Sequence, residues 1–245
     1  MKKMLSVLNL ILITFLFTAV PSLAEIKNPA SKLPHGPSTQ EKIQIPSAKS
    51  LGNGRFSIGH IIVDTIKKEV TVPGSLKMNE GVIEYIASIK GGFKLYETIF
   101  ELETNAYEFN LAMILIGLDQ EKGKAPAHHF DPNAPEGDPV EIWVEWDEES
   151  KKKVHRAEDF VLNESSKKTM PYTNWVYTGS TVLEDGTYMA QMDGVLISFV
   201  HDPSSIIESP TDFGVTQYGM LVVNKKIVPP VGTKVQLKVK SIKKD

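Results

Sequence analysis

The chain has 245 residues, with 27 Lys and Arg against 30 Asp and Glu for a formal charge of −3, and it contains no cysteine. Without thiols it can form no disulfide and can hold no iron–sulfur cluster through cysteine. A mildly acidic balance also argues against nucleic acid or an anionic membrane as the main partner.

Lys2 and Lys3 precede a mostly apolar run from Leu5 to Val20, and Pro21-Ser22-Leu23-Ala24 follows it. A short basic start, an apolar stretch and a small-x-small exit make an export signal, with cleavage expected after Ala24. The run falls short of the ~20 residues that a spanning helix needs, so no membrane span is expected after cleavage. This places the mature protein in the periplasm or the medium. Residues 25–55 hold Pro29, Pro34, Pro37 and Pro46 with no apolar period, which reads as a flexible tether. The folded domain is expected over 56–245.

Residues 58–64 and 68–72 read as a β-hairpin. Asn79 can cap a helix over 80–90, with Val82, Ile86 and Ile89 as one apolar stripe that leaves Glu84 on the solvent side. Gly91-Gly92 ends it, and a strand is expected over 93–102. Asn105 and Glu108 are spaced as the start of a second helix, over about 106–117, whose apolar character all round predicts burial. V-E-I-W-V-E-W at 140–146 alternates cleanly, turns at Asp147-Glu148-Glu149-Ser150 and pairs with a strand near 152–156. A short helix is expected over 157–167. Further strands follow at 173–180, 187–191, 194–200, 219–223 and 234–242. The pattern is α+β: a mainly antiparallel sheet, able to curl into a partial barrel, with two principal helices.

Several of these stretches together resemble one family. N-E-G-V-I-E-Y at 79–85, G-G-F-K-L-Y-E-T at 91–98, L-A-M-I-L-I-G-L at 111–118 and G-D-P-V-E-I-W-V-E-W at 137–146 form the first part of the likeness. W-V-Y-T-G-S at 175–180, D-G-V-L-I-S at 193–198 and P-P-V-G-T-K-V-Q-L at 229–237 complete it. The set is similar to the YdjY-domain family of exported bacterial proteins, over about residues 58–242. The resemblance implies no particular activity, and the ferredoxin-like label sometimes given to members cannot apply to a chain without cysteine. Tyr96-Glu97-Thr98 stands where the family pattern has His-Glu-Ser, and Asn110 stands where it has a helical histidine. A metal role built on those histidines does not carry over.

The candidate site residues divide into two groups. Alternation over 93–102 puts Glu97 on the face of Phe93, Leu95 and Ile99, so a buried carboxylate is expected there. Its expected partner lies on or beside the 105–117 helix, and Asn110 and Thr98 are the other buried polar candidates. The second group is His128, His129 and Asp131, imidazoles and a carboxylate that can bind a divalent metal, although adjacent side chains chelate poorly and a solvated loop is the plainer reading. Ser198, His201 and Asp202 carry triad residue types, yet sequence neighbours do not make a triad. No G-x-S-x-G, P-loop or G-x-G-x-x-G is present.

The resulting expectation is an exported, non-catalytic binding or adaptor module without a cofactor, with a protein or small-molecule partner outside the cytoplasm. A hydrolase using two carboxylates, or metal binding through the 128–138 loop, are the alternatives.

Overall fold

A computed structural model describes residues 46–242. The stretch expected to be a leader, 1–24, and most of the expected tether, 25–55, lie outside the described residues. The first described strand, β1 (Lys49–Gly52), falls inside the stretch read as linker and pairs with β2 (Arg55–Ile58). β3 (Ile61–Asp64) and β4 (Glu69–Leu76) follow as the expected hairpin. Next come β5 (Tyr85–Ile89), β6 (Thr98–Leu102) and α1 (Ala106–Leu115).

The longest strand, β7 (Asp138–Glu148), buries Val140, Ile142, Val144 and Trp146, as its alternation requires, and pairs with β8 (Lys151–Arg156). β9 (Val161–Asn163), β10 (Trp175–Tyr177), α2 (Met189–Asp193), β11 (Val195–Ser198) and β12 (Ile207–Glu208) come after it. α3 (Phe213–Thr216), β13 (Leu221–Val223) and β14 (Lys234–Ser241) complete the described chain.

Eight strands close on themselves in the order β4-β14-β7-β10-β12-β11-β5-β6, because β6 pairs back to β4. The expected partial barrel is therefore a closed one. Most pairs are antiparallel, while β5–β6 and β11–β12 are parallel. Closure leaves no free edge along this circuit. Gly74 makes it possible: a Cβ there would lie 2.5 Å from the Glu101 carbonyl oxygen across the β4–β6 seam. β9 and β13 form a separate two-stranded sheet.

The protein is mostly β rather than evenly mixed. Among the described residues only α1 exceeds five residues, and Asn105 caps it by accepting a hydrogen bond from the Glu108 amide at 2.9 Å. The helix expected over 80–90 is instead β5. Val82, Ile86 and Ile89 fit a helical stripe, but Tyr85, Ile86, Ala87 and Ser88 are all buried. A strand buried on both faces loses the two-residue period that would identify it. The strand expected over 93–102 begins only at Thr98, after a 3-10 turn at Phe93–Glu97. The strand expected over 187–191 gives way to α2 at Met189–Asp193, and the helix expected over 157–167 is a 3-10 turn at Ala157–Phe160 followed by β9.

Candidate functional site

Strand register gathers the polar residues. Ser198 of β11 pairs with both Tyr85 of β5 and Glu208 of β12, and Tyr85 pairs with Thr98 of β6. The starts of β5 and β6 thus meet the ends of β11 and β12 at one end of the barrel. Glu84 sits just before β5, its amide donating to the Glu97 carbonyl at 3.0 Å. The turn carrying Lys94 and Glu97 and the loop carrying Asp202 flank it.

Asp202 is the best-satisfied acid of the group. Its Oδ2 accepts from the Tyr85 hydroxyl at 2.6 Å, and its Oδ1 accepts from the amide and hydroxyl of Ser204. Burial, followed by the adjacent Asp202 charge, pushes the Tyr85 phenol far above its ordinary value, so it acts as a fixed donor. Lys94 Nζ lies 3.2 Å from Glu97 Oε1 and 5.7 Å from the centre of the Tyr85 ring.

His129 arrives from the 124–136 loop. Its Nε2 is 3.2 Å from Glu84 Oε2 and 4.0 Å from Asp202 Oδ2, with 36% of the side chain exposed. Burial opposes its charge, but the contact with Glu84 and the charges of Asp202 and Glu84 outweigh burial and raise its pKa above 6.5. Glu84 is only 4% exposed, and its Oε2, though at ion-pair distance from His129, accepts no aligned hydrogen bond. Behind these groups Glu208 is wholly buried. One oxygen accepts from the Asp202 amide at 2.9 Å while Oε2 has no hydrogen-bond partner, and burial lifts its pKa well above the ordinary carboxylate range. Asp193 is raised as well, by burial and then by Asp202.

Aromatic rings surround the cluster. Phe130 stacks on His129 at 4.0 Å between centroids, and Tyr218 meets Phe130 edge-on at 4.6 Å. Phe93 and Tyr96, in the turn that carries Lys94 and Glu97, form a T-shaped pair at 6.3 Å. Phe93, Tyr96 and Tyr218 are 60%, 62% and 60% exposed.

The sequence-derived candidates are partly scattered. Glu97 is partly buried beside Glu84, but its partner is Lys94 in the same turn and not the helix. The turn replaces the strand whose alternation would have aimed it inward. Thr98 is fully buried directly beneath, donating to the Lys94 carbonyl at 2.7 Å and lying 2.9 Å from the Ser88 hydroxyl. Asn110 stands apart and ties α1 to β10 by accepting from the Tyr177 hydroxyl at 2.6 Å.

Of the metal candidates, only His129 faces the cluster. His128 is exposed, with Nδ1 3.0 Å from the His129 carbonyl oxygen. Asp131 folds its own loop, accepting from the amides of Asn133 and Ala127, and these donors hold its pKa at about 2. Among the described residues no group of three or more His, Asp or Glu side chains is disposed to hold a metal ion.

Ser198, His201 and Asp202 form no triad. Ser198 Oγ accepts from the Val200 amide, and both His201 ring nitrogens face backbone carbonyls, of Asp131 and Thr211. His201 is the anchor of the 128–131 loop and so positions His129. Tyr85, Lys94 and Glu208 were missed, Glu84 was read as solvent-facing and Asp202 was weighed only as a triad residue, since register across four strands, not local pattern, brings them together.

A surface groove of about 510 Å³ lies elsewhere, along Gly74, Trp146 and Gln236. Of its three acids, Glu145 is paired with Lys152 and Lys238 and Glu103 with Lys234. We therefore take the His129 cluster as the candidate site.

A closed barrel with a polar, aromatic-rimmed cluster at one end defines the architecture. The YdjY-domain family model matches residues 61–240, and the chain belongs to the YdjY-domain family. No curated protein and no solved structure matches the chain. Among the described residues no helix is long and apolar enough to cross a membrane.

Proposed function

We propose that the protein is an exported binding module, working outside the cytoplasm, whose ligand sits over Glu84, His129 and Asp202. The observation that supports this most directly is Glu84 Oε2: a buried oxygen that accepts no aligned hydrogen bond and whose close neighbour is the partly exposed His129, at 3.2 Å. Leaving a buried polar group unsatisfied costs about 1–3 kcal/mol, which a ligand donor would recover. The export assignment rests on the leader-like first 24 residues.

The hydrolase reading needs two acids with opposed environments that both reach a substrate. Glu208 has the raised pKa of such an acid but is 0% exposed, whereas Glu84 lies against the partly exposed His129, which can move aside for a ligand. Binding is the better-supported reading.

Native mass spectrometry of full-length protein recovered from its producing cells tests this. A non-covalent adduct is expected on the wild type and not on Glu84→Gln. Identical spectra for the two would reject the site.

A further inference from the structure

The site's chemistry narrows the ligand class, an inference that rests on the binding reading above. Carboxylate oxygens only accept hydrogen bonds, so whatever meets Glu84 Oε2 must present a donor or a positive charge. Charge balance favours the second. Lys94 is engaged with Glu97 at 3.2 Å, which leaves Glu84 and Asp202 opposed only by His129. The cluster is thus negative whether or not the imidazole is protonated, and an anionic ligand would be repelled.

A bare metal ion fits poorly. Both Asp202 oxygens are occupied by Tyr85 and Ser204 donors, and the remaining side chains fall short of a chelating set. The rim instead suits a cation with an organic body. Tyr96 exposes its ring near Glu97 and Glu84, and an aromatic face attracts ammonium groups while covering the apolar part attached to them.

We infer that the site takes an organic ammonium compound, its charged nitrogen displacing the His129 imidazole from Glu84 Oε2 and its apolar or aromatic body against Tyr96. The imidazolium form of His129 already places a positive charge 3.2 Å from Glu84, so ligand and proton compete for the same carboxylate. The groups that face His129 are Glu84 from the start of β5, Asp202 from the β11–β12 loop and Lys94 from the 3-10 turn. Binding should therefore tighten as pH rises through the His129 titration.

The test is an NMR titration of the full chain with benzylammonium chloride, benzyl alcohol, sodium benzoate and zinc chloride, following the His129 ring resonances. Benzylammonium is expected to shift them saturably, with benzyl alcohol at least tenfold weaker and benzoate without effect. Glu84→Gln should weaken benzylammonium at least tenfold. Should that variant not fold, Tyr96→Ala, at a side chain 62% exposed, should still weaken it severalfold. Glu84-dependent binding of the alcohol or benzoate, or a response to zinc alone, overturns the ammonium assignment and leaves the site standing. No response to any probe overturns both.

Discussion

Tyr85 donates its phenolic hydrogen to Asp202 at 2.6 Å, a bond between residues 117 positions apart that fastens the start of β5 to the loop after β11. Tyr85→Phe removes the donor and leaves a buried carboxylate oxygen short of a partner. A loss of about 1–3 kcal/mol is expected in denaturant unfolding. A change below the error of that measurement would show that solvent replaces the phenol.

Glu158 is the second buried acid on which stability depends. It is fully enclosed and accepts from Arg156 Nη2 at 2.8 Å, Trp175 Nε1 at 3.0 Å and the Thr173 amide at 3.1 Å. The Arg156 guanidinium also lies over the Trp143 and Tyr172 rings. Glu158→Ala strands three donors, one of them charged, and should cost about 3–5 kcal/mol. Glu158→Gln keeps the shape and should cost less; equal losses would mean the charge is immaterial.

His129 carries a pH signature. Its pKa in the folded protein is raised above 6.5, so its stabilising contribution is fully present below the unfolded value and is lost as pH rises through the folded one. Unfolding midpoints of wild type and His129→Gln measured from pH 5 to 9 should converge as pH increases. Parallel curves would contradict the ion pair with Glu84.

Glu208 follows the same sign for a different reason. A buried acid with a raised pKa favours folding while protonated, and that contribution falls away as pH rises from 4.5 through the raised value. Glu208→Gln keeps the neutral shape and cannot ionise. It should flatten this part of the stability profile and match or exceed wild type at pH 8. A variant much less stable than wild type at that pH would show that the carboxylate is needed charged.

Gly74 tests the barrel seam. A methyl group there would meet the Glu101 carbonyl oxygen at 2.5 Å, well inside contact distance, so β4 and β6 must separate. Gly74→Ala is expected to lower stability by about 1–3 kcal/mol, the range seen for overpacked sites. Unchanged amide-exchange protection at Leu102 would refute a role in closure.

Local chemistry made part of the fold legible. Asn105 announces α1 because an N-cap needs only a side-chain oxygen three residues before an amide. β7 shows itself because one face is buried and the other is not. β5 did not, since burial on both faces erases alternation and 82, 86 and 89 happen to suit a helix. The same error sent Glu84 to solvent, whereas it is nearly buried at the site. Glu97 and Thr98 lie beside the cluster, with Glu97 paired to Lys94 rather than to the helix, while Asn110 ties α1 to β10. His129 stood out from its neighbour His128 only once the loop was fixed by His201. Asp202 and Glu208 meet Glu84 through pairing of distant strands, information that no short window contains.

The strand that seals the barrel between β4 and β7 is β14, the last of the fourteen described strands. Until residues 234–241 are available, β4 and β7 lack their common neighbour and the ring stays open. Loop closure over such separations is entropically slow. Closure of the ring is therefore a late event in folding, and β4 and β7 keep unpaired edges until it happens.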